Sequence, residues 1–210
     1  MKRAAGFTLI ELLTVISIFG LITLGTLPVI RSMGNSGTLE GGLYDIRGLL
    51  EYARNEAVAR QAYVWVGFSN AIENGSHELV MAAATASDGS ATGTTLRGIS
   101  RIVRLPNVEV IEWNQLSASL RNRFPGQPGS AMENPNARTL TVGSRTFPHS
   151  LTFTPQGSVM RHGSPTPLTP YDLWIDLSLR ETRGGTVPPD AREVSLLING
   201  ANGVLQTLEP

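Results

Sequence analysis

Glu11 is a carboxylate inside an apolar run that extends from Phe7 to Ile30. As a helix, this run would span roughly 36 Å, enough to cross a hydrocarbon core of about 30 Å. A carboxylate near the bilayer centre costs roughly 2.5–3.5 kcal/mol on insertion scales, so an acid in such a segment indicates a function that needs it. The chemistry open to Glu11 is pairing with a cation, because each charge then offsets the desolvation of the other.

A short basic leader with Lys2 and Arg3 precedes this run and ends at Gly6. A secretory signal peptide has the same order of charged and apolar regions, but this apolar run is too long and no small-residue cleavage site follows it. A plain membrane anchor fits the length and leaves Glu11 without a reason. A third interpretation depends on the residues around Gly6.

The string GFTLIE at Gly6–Glu11 resembles the prepilin cleavage and methylation motif of type IV pilins and type II secretion pseudopilins. Pro28 falls where many pilins carry a helix-bending proline. The resemblance implies that a prepilin peptidase cuts after Gly6 and methylates the new amine of Phe7. It also implies partners: other pilins or pseudopilins in a filament, and an inner-membrane assembly platform.

Each residue of the motif has a chemical role in this hypothesis. Gly6 has no side chain, so the scissile peptide fits a tight protease site. Cleavage frees a cationic amine at Phe7, which can meet Glu11 of a neighbouring subunit. Glu11 is therefore expected to be unfavourable alone in lipid and satisfied in an assembled filament.

The charges flanking the run predict its orientation. Lys2 and Arg3, with the starting amine, outweigh Arg31 and place the N-terminus in the cytoplasm. We therefore expect a single-pass protein of the bacterial inner membrane, with its globular domain on the periplasmic or extracytoplasmic side. The chain has no cysteine, which is compatible with that location and does not establish it.

The remaining chain predicts one helix followed by strands. Apolar residues recur at helical spacing from residue 39 to residue 60, with two i,i+4 ion pairs on the other face, Arg47–Glu51 and Glu56–Arg60. From Ala62 onward, β-branched and aromatic runs predict strands. We expect a hairpin with a longer loop around Asn74-Gly75, and further strands over 99–105, 108–113, 139–142, 151–154, 173–179, 194–198 and 204–208.

The fold class predicted is α+β: a long N-terminal helix, membrane-spanning in its first half, packed on a mostly antiparallel, pilin-like β domain. The expected parts are a leader (1–6), a membrane or filament-core helix (7–30), a linker and amphipathic second helical half (31–60), and a β domain (61–210). Residues 85–95 and 114–137 are predicted loops, the second with a helical turn over 115–123.

Two strings in the β domain resemble the H-type minor pseudopilins: ARNEAVARQAYVWV at Ala53–Val66 and LTFTPQGSV at Leu151–Val159. The resemblance implies that Phe153 is a core residue and that Pro155 and Gly157 form a tight turn. The function implied is a minor pseudopilin-like structural subunit of a type II secretion or type IV pilus-like filament. The alternative is a minor type IV pilin whose exposed domain binds DNA or an exported substrate.

Nucleic acid is the less favoured partner. The chain has 17 basic and 17 acidic residues, so no strong overall field attracts phosphate. DNA-binding relatives carry arginines in and near the C-terminal tail, and this tail, NGANGVLQTLEP, has none. The possible contacts are in the one locally basic stretch: Arg97, Arg101, Arg104 and Arg145.

We expect no enzyme activity, cofactor or metal. His77, His149 and His162 lack metal-ligand spacing, and no nucleophile elbow or phosphate loop occurs. Asp172 and Asp176 could share a strand face, which we interpret as solvated. The tryptophans are predicted to be core residues: Trp65, Trp113 and Trp174.

Overall fold

The computed structural model describes residues 10, 12–16, 38–73, 75–124, 126–132, 139–161 and 173–209. The chain forms two compact units, Met1–Thr38 and Leu39–Pro210. In the first unit, residue 10 and residues 12–16 are helical. The second unit contains the β domain and nearly all of a long helix.

Helix α1 runs from Thr38 to Arg60 because its apolar residues repeat every three to four positions. The apolar residues that recur at helical spacing in this range, as predicted, are buried: Leu39, Leu43, Ile46, Leu50, Ala53 and Ala57. The predicted Glu56–Arg60 ion pair forms on the other side. Arg47, predicted to pair with Glu51, donates instead to Thr207 Oγ1 over 3.4 Å.

Strands β1 (Val64–Glu73) and β2 (Ser76–Ala86) form the predicted antiparallel hairpin. The expectation of a longer loop is wrong, because Glu73 pairs directly with Ser76. Gly75 has φ 76°, a left-handed conformation that glycine adopts without steric cost and that tight hairpin turns require.

The hairpin is the centre of a six-stranded sheet, sheet A, in which β9 (His149–Phe153) pairs with β1 and with β10 (Val159–Met160). On the other side, β2 pairs with β3 (Leu96–Gly98) and β4 (Val103–Pro106). One strand was predicted over 99–105. It divides because the Ser100 hydroxyl accepts the Ala83 N–H at 2.8 Å, replacing a backbone partner there.

A five-stranded sheet, sheet B, has the order β13-β12-β11-β5. Its antiparallel strands are β5 (Val108–Ile111), β11 (Trp174–Glu181), β12 (Glu193–Asn199) and β13 (Leu205–Leu208). The short β6 (Gly129–Ser130) pairs with β11 in parallel. Between β5 and β6 lie a 3-10 turn, Trp113–Gln115, and the short helix α2, Ala118–Arg121.

A two-stranded hairpin, β7 (Leu140–Val142) and β8 (Arg145–Phe147), covers the outer side of sheet A. Phe147 packs there with Trp65 in a cluster separate from the main core. A Cβ on Gly67 of β1 would lie 2.8 Å from Phe147 Cβ. The Phe147 side chain therefore packs directly against the backbone of β1 at Gly67.

The main core is one cluster shared by α1 and both sheets. Phe153 is fully buried in it, as predicted. The predicted turn forms at 154–157, where the Gly157 N–H donates to the Thr154 carbonyl at 2.8 Å and Gly157 has φ 82°. Trp65 and Trp113 are also buried, and Trp174 is half-buried.

The prediction of an α+β protein with mostly antiparallel sheets and a helix near its N-terminus is confirmed. Most of the predicted membrane-spanning helix lies outside the described residues.

Candidate functional site

The described residues of the N-terminal segment form an apolar helical surface. Ile10, Leu12, Leu13, Val15 and Ile16 are 48–75 % exposed. Large apolar side chains exposed together indicate contact with lipid or with another protein.

Thr14 is the polar residue among these described positions, and its hydroxyl is satisfied within the helix. Thr14 Oγ1 donates to the Ile10 carbonyl, one turn earlier, over 2.7 Å. Because this bond needs no outside partner, the hydroxyl does not oppose burial of the helix in an apolar medium.

The residues assigned chemistry from the motif, Gly6, Phe7, Glu11 and Pro28, lie outside the described part of the chain. Their roles in processing and assembly therefore stay predictions. Among the residues that the structure describes, no helix combines the length and apolar character needed to cross a bilayer.

The structure brings two of the four candidate DNA-contacting arginines together on an acid. Arg104 NH1 lies 2.5 Å from Glu73 Oε2 and 3.4 Å from Glu78 Oε2, and Arg145 NH2 lies 3.6 Å from Glu73 Oε2. Hydrogen bonds from Glu78 and Arg104 lower the pKa of Glu73, while burial raises the pKa of Glu78. These acids offset the positive charge that a phosphate would need.

Arg97 lies elsewhere, in the wall of a cavity of about 530 Å³ that Arg60 and Asp88 also line. Arg60 pairs with Glu56, so the charges around the cavity are mixed. Arg101 is exposed at the chain segment between β3 and β4. These four arginines therefore do not form one basic surface, and DNA contact by Arg97, Arg101, Arg104 and Arg145 stays a prediction without added support.

His77 belongs to a cluster of charged and polar side chains that connects strands. Its Nδ1 lies 3.0 Å from Glu109 Oε2, and the other oxygen of Glu109 accepts from Arg180 Nε at 2.9 Å and from its NH2 at 2.6 Å. These residues lie on β2, β5 and β11, so the cluster joins sheet A to sheet B. His149 stacks on Phe68 with ring centroids 5.6 Å apart, and His162 and Asp172 lie outside the described residues.

Asp176 corrects our interpretation of a solvated strand face, since it is only 1 % exposed. Its Oδ1 accepts from the Ser178 hydroxyl at 2.8 Å and from the Ser195 hydroxyl at 2.5 Å. Oδ2 is buried without a hydrogen-bond partner among the described residues. Burial raises the pKa of Asp176 to about 6, against the hydrogen bonds of Ser195 and Ser178, which lower it.

Sequence reasoning missed Asp176 because polar and apolar residues alternate along β11, the usual pattern of a half-exposed strand. The one signal in the sequence was Ser178, which lies two positions along on the same strand face and can donate a hydrogen bond to Asp176. Nothing in the pattern shows that a distant segment covers that face. Within the described residues, no three His, Asp or Glu side chains gather in a way that could hold a metal ion.

Comparison with protein families matches residues 1–27 to a model described as the prokaryotic N-terminal methylation motif. This match supports a type IV pilin-like subunit that is processed by prepilin peptidase, anchored in a membrane and assembled with other pilins. Comparisons with curated proteins and with solved structures found no match.

Proposed function

We propose that this chain is a minor pseudopilin-like structural subunit of a type II secretion or type IV pilus-like filament. The single observation that carries the proposal is the N-terminal methylation motif at residues 1–27. The exposed apolar helical surface at residues 10 and 12–16 adds support, since it offers a face for lipid before assembly and for neighbouring helices afterwards.

The mechanism is assembly rather than catalysis. The leader is removed after Gly6, and the methylated amine of Phe7 pairs with Glu11 of an adjacent subunit. In lipid, Glu11 alone is unfavourable, so the pairing stabilises the incorporated state over the free one. The globular domain lies outside the cytoplasm and presents its loops to partners, and no enzymatic step is assigned to it.

The domain supports the narrower assignment to the H-type group in two places. Phe153 is buried in the core, and the Pro155–Gly157 segment forms a tight turn that packs on α1: a Cβ on Gly157 would lie 3.3 Å from Val58 Cγ2. Both features match what the resemblance implies for this group.

Processing is tested by expressing the full chain in cells with and without a prepilin peptidase. We expect mass spectrometry to find a mature chain that begins at N-methylated Phe7 only when the peptidase is present. An intact leader in both strains contradicts the proposal at its first step.

Assembly is tested with Glu11→Val, compared with Glu51→Val, which removes an exposed acid of α1. We expect both variants to insert and to be cleaved, and only Glu11→Val to be missing from sheared filaments in a strain that assembles them. Normal incorporation of Glu11→Val removes the role given to the carboxylate.

A further inference from the structure

The outer face of sheet B is closed by a segment that we name the cover: residues 113–124 and 126–132. Leu116 and Leu120 are buried in one cluster with Leu197 of β12. Phe124 packs edge-on against Trp113 and Trp174, with ring centroids 6.3 and 5.6 Å apart. Residues 113–124 of the cover are thus attached by apolar contacts along this face, while Ala131 at its end is buried in the main core.

The cover also pairs with the backbone of the strand that carries Asp176. Ser130 in β6 is the register partner of Asp176, and the Ala131 N–H donates to the Asp176 carbonyl at 2.8 Å. Asp176 pairs across the sheet with Leu197, and directly paired residues present their side chains on the same face. The Asp176 carboxyl therefore lies on the covered face.

Among the described residues, no cation pairs with this carboxyl. Its described side-chain partners are two hydroxyls, Ser178 and Ser195, and both reach the same oxygen. A buried polar atom left without a partner is unfavourable, and more so when it is charged. The second oxygen, Oδ2, is such an atom, because it is buried and has no hydrogen-bond partner among the described residues.

Most of the charged groups on the elements around Asp176 have other described partners, and Arg121 is the exception. On β12, Glu193 accepts the Ser117 N–H at 2.8 Å, and on β11, Arg180 binds Glu109. On the cover, Arg123 donates to the Glu209 carbonyl at 2.5 Å, and Glu112 just before it accepts from Asn114 at 3.0 Å. Arg121 of α2 has a buried Nε without a hydrogen-bond partner among the described residues.

We propose that Asp176 makes the cover a pH-sensitive flap, which docks on sheet B more tightly when the carboxyl is neutral and opens more often when the carboxyl ionises. Opening hydrates the carboxylate and relieves Oδ2, so ionisation favours the open state. Release exposes an apolar face that includes Leu197 and Trp174.

The direction of the pH effect follows from burial. In the docked state the pKa of Asp176 is about 6, against a usual value of 3.8. The docked state therefore binds the proton more tightly, and docking weakens as pH rises from about 4 through 6, with no further weakening above that. Between pH 4.5 and 7.5 the open fraction is expected to increase on the order of 25-fold.

The absence of cysteine from the chain allows a specific test. Ser130→Cys places one thiol on the cover, and Ser150→Cys places one on β9 in sheet A; both serines are buried. The full-length protein in detergent is labelled with a disulfide reagent that reacts in acid, from pH 4.5 to 7.5. Rates are divided by those of the urea-unfolded protein to remove the thiol's own pH dependence.

We expect the thiol at 130 to react faster than the thiol at 150, with an opening fraction that rises about 25-fold over this range. Asp176→Asn should remove the rise, and Asp190→Asn, which neutralises an exposed aspartate, should retain it. Ser195→Ala is the second variant: without this donor the carboxylate is less stable when docked, so the rise continues to higher pH. Equal slow labelling at both thiols, or a rise unaffected by Asp176→Asn or Ser195→Ala, overturns the proposal.

Discussion

Gly67→Ala tests whether the outer hairpin sits directly on the backbone of sheet A. The added methyl would lie 2.8 Å from Phe147 Cβ, 2.9 Å from its Cγ and 3.4 Å from Leu140 Cβ. Both neighbouring side chains are fully buried. Atoms next to the backbone cannot turn aside, so β7 and β8 must move outward.

The magnitude follows from two opposing effects. Overpacking of this kind costs about 1–3 kcal/mol. Replacing glycine by alanine also raises the free energy of unfolding by about 0.4–1 kcal/mol, because alanine reduces the conformational entropy of the unfolded chain. We therefore expect the free energy of unfolding to fall by about 1–2 kcal/mol, which lowers Tm by roughly 3–6 °C for a domain of this size.

Gly48→Ala is the matched control, because it is the same chemical change in open space. Gly48 lies on the exposed side of α1, and a Cβ there meets nothing within 4 Å. Alanine is favoured over glycine inside a helix, so we expect stability to rise by about 0.5–1 kcal/mol. The two variants should thus change Tm in opposite directions.

The assay is thermal unfolding of the full-length protein in detergent, followed by near-ultraviolet circular dichroism. Hydrogen exchange then locates the effect: in Gly67→Ala, amides of residues 140–147 should exchange faster than those of β2. A Tm for Gly67→Ala at or above that of the original chain refutes the packing argument. So does an unchanged exchange rate in the β7–β8 hairpin.

Two further predictions concern charge. Glu109→Gln removes the acid that joins His77 and Arg180 across the two sheets, and should lower the free energy of unfolding by about 2 kcal/mol. The control, Glu40→Gln, removes an acid from an exposed ion pair and should change the free energy of unfolding by less than about 0.5 kcal/mol. Chemical denaturation measures both free energies. The full-length protein should not retard labelled DNA even at low salt, because Arg104 and Arg145 already contact acids; a salt-sensitive shift in a gel contradicts this.

Helix α1 was predictable because its burial pattern is local. Six apolar positions at spacings of three and four define one face, and any sheet beneath that face would bury the same residues. The β1–β2 hairpin was predictable for a similar reason, since a strand pattern on each side of Asn74-Gly75 requires only a turn between them.

The division between β3 and β4 depends on a distant partner. Ser100 interrupts a sequence that reads as one strand because its hydroxyl bonds Ala83 in β2. Asp176 was misinterpreted for the same reason: β11 shows the alternation of a half-exposed strand, and its second face is buried by residues about fifty positions earlier in the chain. Periodicity reports which residues share a face, but not what covers that face.

The sharing of one core by α1 and both sheets has a mechanical consequence. The buried residues of α1 extend from Leu39 to Ala57, about 27 Å along the helix axis. α1 also contacts each sheet near its edge: Gly42 lies against Leu105 of sheet A, and Arg47 reaches Thr207 of sheet B. A pull along the helix axis therefore loads all of these contacts together, in shear, instead of peeling them one after another. Such an arrangement resists tension better than a helix attached at one end.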